Sequence, residues 1–360
     1  MKTFHTIYKK SRIWIFLALA IAFPFVVNNR YVLHLSCLGM MYAMMTISLN
    51  ILSGFTGLMS VGHIAFFGIG AYTTAILTTK CGLPVGIGIL AAGVFAALFS
   101  LLLGLPTMRL KGTYFTVATL AFGIIVYQCI KNLTGLTNGT KGINQIPCIE
   151  IFGFPFKSYN AYYFLMLTAL TLCVILALNL LNSRTGRAIL AIRESDIAAE
   201  AMGINVVNYK IVAFMVSAFI AGIAGALYSH EMRYISPEPF SQAESSTILA
   251  MMVIGGIGSI PGAIFGGIAL TVLPEVLRFM GDFRLVFYGA AVVAIIIFAP
   301  AGLGGFLEKA DDFLCGKRPG LDMISVGPDM RDIHTPREQL SVASTARTYA
   351  LLEAVVTALS

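Results

Sequence analysis

The residues of this chain that could do chemistry are few, and they gather in three places. The first is the charged stretch 183–205, in which Arg184, Arg187, Arg193, Glu194, Asp196 and Glu200 alternate with small and apolar residues before Gly203. Residues 187–202 are mostly helix formers, and Gly203 is a natural stop. On one helix Ala188, Ile189, Ile192, Ala199 and Met202 share a face, with Leu190 and Ile197 on the other side. Such a surface offers docking rather than catalysis: small and charged side chains held up to another protein. A plain basic loop accounts for Arg184, Arg187 and Arg193 but not for a helical run that also carries three acids.

The other two places are Gly-rich. One runs from Ser53 through Gly54, Thr56, Gly57, Ser60 and Gly62 to His63, continuing with Phe66, Phe67, Gly68, Gly70 and Tyr72. The other is Gly255-Gly256-Ile257-Gly258-Ser259-Ile260-Pro261-Gly262, followed by Gly266 and Gly267. Glycine opens a helix and lets backbones approach closely. Non-helical backbone at membrane depth survives only where protein or water covers it. A broken or re-entrant segment lining a pathway is one reading; close packing of small residues between helices is the other. On the first reading the pathway residues are Gly54, Thr56, Gly57, Ser60, His63, Phe67, Gly255, Gly256, Gly258 and Ser259. For His63 a packed, hydrogen-bonded histidine competes with a role as a substrate ligand.

Other chemistries lack their residues. The sequence has no Gly-x-x-x-x-Gly-Lys-Ser/Thr loop to cradle phosphates, so no nucleotide cofactor is expected on this chain. It has no His/Cys/carboxylate cluster at metal spacing, so no metal is expected, and no Gly-x-Ser-x-Gly elbow. Nothing argues for an enzyme. The six Cys are scattered without a Cys-x-x-Cys pair; Cys81 and Cys148 both fall in external loops, which leaves one disulfide open. No Asp, Glu, Lys or Arg stands in the middle of an apolar run, and His34 and His63 are the only titratable groups near the spans. An ion-coupled carrier needs such a group and accepts its cost, so the driving force is expected from elsewhere.

The elements that must position these residues follow from composition. Of the 360 residues 58% are hydrophobic and 11% charged, against about 25% charged in a typical soluble protein. Mean hydropathy is +0.84. A soluble globular enzyme and a disordered chain are both excluded. Apolar runs fall near 13–27, 31–52, 57–78, 84–105, 113–130, 161–181, 210–229, 246–258, 260–277 and 285–300. They are continuous rather than alternating, so helices are expected and barrel strands are not. The stretch 246–277 reads as a tight pair because of Pro261 and its glycines.

The net charge of +7 fits a polytopic chain whose basic residues collect in cytoplasmic loops, and nucleic acid is not an expected partner. Ten crossings put Lys9, Lys10 and Arg12, then Arg109 and Lys111, then Arg184, Arg187, Arg193 and Lys210, and finally Lys309, Lys317 and Arg318 on the inside. The fold class is therefore an all-α polytopic membrane protein with about ten transmembrane helices and broken Gly-rich segments. Five spans on either side of loop 131–160 suggest inverted five-helix repeats. Residues 1–12 form a cytoplasmic N-terminus, 13–305 the transmembrane domain with a cytoplasmic loop at 183–209, and 306–360 a cytoplasmic tail in which 337–359 could form an amphipathic helix. The basic start and Ala-Leu-Ala at 18–20 also resemble a signal peptide; with nine runs following, a retained first span is the reading kept.

Four separated motifs carry a resemblance. Arg187-Ala188, Ala191-Ile192-Arg193-Glu194, Ala198-Ala199 and Gly203-Ile204 resemble the ATPase-docking loop of bacterial ABC importer permeases. Leu49-Asn50, Gly54-Phe55-Thr56-Gly57-Leu58, Ser60, Gly62-His63 and Ala65 to Tyr72 are similar to the LivM-type branch, permease subunits for branched-chain amino acids. Thr137 to Ile143 resembles that branch's external Gly-rich loop, and Val253 to Gly267 its Gly-Gly-x-Gly-Ser segment. The match covers about residues 30–305. Two positions depart from the general importer loop: Ile197 stands where Glu is usual, and Ala213 where Ile would fall. The resemblance implies a coupling loop of Arg187, Arg193, Glu194, Ala198, Ala199, Glu200 and Gly203. It implies a second, related permease, two ABC ATPase subunits that bind ATP and Mg, a periplasmic substrate-binding protein and a place in the bacterial inner membrane. Transport would be by alternating access. A urea or short-amide importer permease and a stand-alone channel or facilitator are the alternative readings.

Overall fold

The computed structural model describes residues 20–27, 29–108, 113–151, 154–156, 158–298, 302, 330–331 and 339–340. Helices are what apolar runs of this length form in lipid, because a helix satisfies its own backbone groups. They are α1 (Arg30–Leu49), α2 (Ile64–Thr79), α3 (Val85–Thr107), α4 (Thr113–Asn132), α5 (Tyr159–Asn182), α6 (Arg184–Glu194), α7 (Asp196–Ala201), α8 (Val206–Met232), α9 (Gln242–Gly255), α10 (Ile260–Val276) and α11 (Arg284–Phe298). Residues 20–26, from the first apolar run, are also helical, and this piece docks on α5, where the Tyr163 hydroxyl donates to Ala20 O over 2.9 Å. The chain divides into two units, 1–308 and 309–360. In the second, Met330–Arg331 pairs antiparallel with Gln339–Leu340. Those two residues take ladder hydrogen bonds in place of the first turn of the expected tail helix; 341–359 lie outside the described residues.

Among the described residues six helices are long and apolar enough to cross a membrane. The first is α1 carried on through a π-helical stretch, Asn50–Phe55. The others are α3, α4, α5, α8 and α10 with the turn after it. The chain is thus an all-α, multi-pass membrane protein. Apolar side chains face outward along its flanks, among them Leu90, Leu98 and Leu102 of α3 and Leu172 of α5, as a lipid-facing belt requires. Cys81 and Cys148 are both free thiols.

Helix α8 is the centre of the bundle, packed between α2 and α3, while α1 joins it to α10 and α5. Small residues make this possible. A Cβ at Gly222 would stand 2.6 Å from Ala96 Cβ and 2.7 Å from Ala92 O, so only glycine lets α8 lie this close to α3. Along the α2–α8 seam His63 meets Ser217, a Cβ at Gly225 would collide with Phe67 O, and Thr74 meets His230. The two helices therefore run in the same direction. His63, at the start of α2, lies level with Ser217, eleven residues into α8, or about 16 Å from one end of that helix and about 22 Å from the other. Helix α2 starts part-way through the bundle, and residues 57–63 climb to it as non-helical chain.

Three expectations need correction. The run 187–202 is not one helix: Ser195 breaks it with φ −162° and ψ 116°, and its side chain accepts from Ala198 N at 3.2 Å. The local N-cap outweighs helix propensity there. Met202, placed on the apolar face, is 82% exposed, because the break turns α7 relative to α6. Third, His34 and His63 are not the only titratable groups at the spans. Helix α8 carries Lys210 at the head of its apolar run, and α8 and α9 extend past their runs to bring in His230, Glu231 and Glu244. Arg109, Lys111, residues 1–12 and the basic cluster at 309–318 lie outside the described residues.

Candidate functional site

The residues expected to dock lie on the α6–α7 pair. Ser183 caps α6, accepting from Gly186 N at 3.1 Å. Ala188, Ile189 and Ile192 are buried on one side of α6, and Ala199 on one side of α7. Ile192, Ala199 and Val206 form a small core of their own, with Ile204 and Tyr209 against it. Gly203, at φ +80°, ends the pair in the left-handed region that glycine tolerates. An ion pair ties the loop to the central helix: Lys210 Nζ lies 2.7 Å from Asp196 Oδ2, with the lysine side chain 10% exposed and the aspartate 51%. Arg187, Arg193, Glu194, Ala198, Glu200 and Gly203 are all exposed. So are Ile197, at 80%, and Met202.

The two Gly-rich stretches meet at this end of the bundle. Asn50, fully buried in the π-helical stretch, holds them together. Its Oδ1 accepts from Gly258 N at 2.8 Å and its Nδ2 donates to Ser259 O at 2.9 Å. Gly54 leaves room for this: a Cβ there would collide with the Asn50 amide and stand 2.7 Å from Gly258 N. Gly57 and Gly258, at φ +76° and +84°, lie under the same side chain of α6. A Cβ at Gly57 would be 3.7 Å from Arg193 Cγ, and one at Gly258 2.8 Å from Arg193 Nη1. Arg193 thus touches both Gly-rich corners. Gly256, at φ +114°, closes the turn between α9 and α10, while Gly255 packs against Gly262 and Gly266.

Of the remaining candidate residues, Thr56 stands in the chain between Gly54 and Gly57, and His63 and Phe67 lie deeper. The Thr56 hydroxyl bonds Leu52 O, and Ser53 bonds Leu58 O at 3.0 Å and accepts from Ser60 N at 3.3 Å. The Ser48 hydroxyl donates to Ser217 O at 2.6 Å. With its proton spent there, Ser48 Oγ must accept from His63 Nε2, 2.7 Å away. His63 therefore carries its proton on Nε2, and its buried Nδ1 is an acceptor without a donor. Phe67 joins an aromatic group higher up, 5.3 Å from the Tyr228 ring and 5.7 Å from Phe240. His230 closes the far end: its ring donates to Pro147 O at 2.8 Å and meets Thr74 at 3.0 Å. Sequence reasoning passed over Asn50 as a clamp and the Asp196–Lys210 tie.

The helix pair is thus pinned to the central span and lies against both Gly-rich corners at one end of the bundle. Residues 31–299 match the family described as branched-chain amino acid transport system / permease component. The chain belongs to this family. It is 36% identical over 322 residues to the high-affinity branched-chain amino acid transport system permease protein LivM of Escherichia coli (strain K12), covering 83% of this chain and 75% of that protein. It is 25% identical to the permease protein LivH of the same system and organism, covering 74% and 92%. The guanosine ABC transporter permease protein NupQ of Bacillus subtilis (strain 168) is 24% identical, covering 71% and 85%. The family is one of transport permease components, which agrees with the missing catalytic motifs.

Proposed function

We propose that the chain is the membrane-spanning permease subunit of an ATP-driven ABC importer that moves leucine, isoleucine and valine into the cytoplasm by alternating access. The observation that carries this is the α6–α7 pair. Its inner face is anchored through Ile192, Ala199 and the Asp196–Lys210 pair, while Ile197 and Met202 stand exposed among charged residues. Exposed apolar side chains in such a setting mark a protein contact. Two ATPase subunits dock there and bind ATP and Mg; this chain binds neither. Arg193 passes their movement to the corners at Gly57 and Gly258. The family match and the LivM and LivH relatives support the substrate and a second permease beside this one. A periplasmic binding protein delivers substrate from outside. Both termini are cytoplasmic, and the protein sits in the bacterial inner membrane.

The test is purification of the tagged chain from its native host, with mass spectrometry of what accompanies it. Two ATPases and a second permease are expected. Recovery of the chain alone across several detergents would instead indicate a stand-alone facilitator. Competition of labelled leucine uptake by isoleucine, valine, urea and guanosine then fixes the substrate: only the first two should compete.

A further inference from the structure

The last turn of α8 is where the far end of the bundle is fastened. The Tyr162 hydroxyl of α5 donates to His230 O at 3.1 Å and accepts from Ile149 N at 3.3 Å. The His230 ring holds Pro147 O at 2.8 Å. Just past the helix, Ile146 N donates to Arg233 O at 3.2 Å, and Ile143 and Ile235 exchange both backbone bonds of a bridge. The stretch 143–149 thus lies as a cap on the end of α8. Helix α1 meets the same turn through an ionisable pair. Glu231 Oε1 lies 3.1 Å from His34 Nδ1, with the glutamate side chain 7% exposed and the histidine 34%. The pair joins the second turn of α1 to the last turn of α8, 197 residues apart in the chain.

The second carboxylate oxygen, Glu231 Oε2, is buried and has no hydrogen-bond partner. The carboxylate therefore depends on His34 for its compensation. Other titratable groups near the pair do not supply it. Cys37, one turn beyond His34 on α1, is a buried free thiol. Tyr228, one turn before Glu231, and Tyr162 and Tyr163 on α5 are phenols; thiols and phenols are neutral near pH 7. His230 is turned to Pro147 O and Thr74. Glu244 of α9 lies by Tyr42, two turns further along α1, and Glu275 of α10 pairs with Arg278. Among the described residues no Lys or Arg forms an ion pair with Glu231. One proton thus sets the strength of the contact. With it the pair is an imidazolium and a carboxylate. Without it Glu231 keeps a neutral hydrogen bond and a buried charge that no cation offsets, which is costly. Water reaches the pair through the third of His34 that is exposed.

We propose that His34 and Glu231 form a proton-operated latch, which fastens α1 to the turn of α8 that carries the cap. The latch is closed while the pair holds its proton, and its contribution is lost as the pH rises and the proton leaves. It goes beyond the importer reading; only its facing the outer water rests on the orientation given there. A closed latch holds the far end of α1 against α8, so an importer that must part its outer end to admit substrate works more slowly in acid.

The experiment measures hydrogen-exchange protection of the amides of Ile143, Ile146 and Ile149 and of the last turn of α8, in the full chain purified with its partners. Protection is taken relative to the free-peptide rate at about pH 6 and about pH 8, on either side of the ordinary histidine range. One proton can change an opening equilibrium at most about tenfold per pH unit. Wild-type protection should fall about tenfold over the two units. His34→Gln keeps a donor but cannot take the proton, and its protection should be low at both values. His34→Lys stays charged throughout, and its protection should be high at both. His230 is present in every variant and cancels in the comparison. In vesicles, leucine uptake should rise as the outer pH goes from about 6 to about 8, and His34→Gln should lose that step. The same fall in protection in wild type, His34→Gln and His34→Lys overturns the latch. Protection that follows the pair in a protein that carries no leucine supports the latch and overturns the importer reading instead.

Discussion

Breaking the Asp196–Lys210 pair should loosen the docking helices without disturbing the spans. The perturbation is Asp196→Asn, which keeps the side-chain shape and the exposed position. The lysine side chain is 10% exposed and the aspartate 51%, at 2.7 Å. A fully exposed pair is worth up to about 1 kcal/mol, and removing one partner of a fully buried pair costs about 3–5 kcal/mol. With one partner buried and the other half in water, the loss should fall between these, at about 2 kcal/mol. That is a change on the order of 30-fold in how often α7 opens. The burden falls on α7 because its other anchor is small: Ala199 packed with Ile192 and Val206.

The assay is hydrogen exchange of the α7 amides in the assembled importer, read beside leucine uptake and ATP hydrolysis. Exchange in α7 should speed up about 30-fold while α8 stays protected, and uptake should fall relative to ATP hydrolysis, because motion is lost between the two. In the double variant Asp196→Asn, Lys210→Met the buried charge is gone as well, and part of the loss should return, as a coupled pair requires. Unchanged exchange and uptake in Asp196→Asn would refute the claim that this pair fixes the loop to α8.

Two further substitutions test the junction beneath Arg193. Asn50→Leu removes both bonds that join the π-helical stretch to the α9–α10 corner. It leaves Gly258 N unpaired, at about 1–3 kcal/mol, while Ser259 O keeps its bond from Ala263 N at 3.0 Å, and thermal unfolding of the purified complex should shift down accordingly. Gly258→Ala places a Cβ at φ +84° and 2.8 Å from Arg193 Nη1. It should cost about 1–2 kcal/mol in backbone strain and reduce leucine uptake while the ATPases still co-purify; loss of both together would mean misfolding instead.

What the sequence discloses of this protein follows from what the membrane forces on it. A crossing helix must hide its backbone and show apolar side chains, so α3, α5 and α8 can be read directly as continuous runs. The loop at 183–205 is readable because charge and helix formers coincide there, although the break at Ser195 was written in the sequence too: a serine followed by an aspartate is a helix start, and a long helical pattern on either side hid it. Asn50 is a different case. Nothing local marks it, since its partners are Gly258 and Ser259, about 200 residues away, and only the packing of α1 against α10 brings them together.

Glu244 shows the same limit from the other side. Counted along the chain it lies outside the apolar run at 246–258, and so it reads as a loop residue. The fold lowers it to depth because the 233–241 segment descends against Phe67 and Tyr228 instead of crossing over the top. One sign was present: an apolar run too short to span, preceded by Glu244-Ser245-Ser246-Thr247. A short run demands that its helix begin inside the bilayer, and a helix that begins inside must bring its polar first turn with it. Where lipid allows no polar surface, that turn has to meet protein or water, so the shortness of α9 is itself the reason that residue 244 is half-buried against other helices rather than left in a loop.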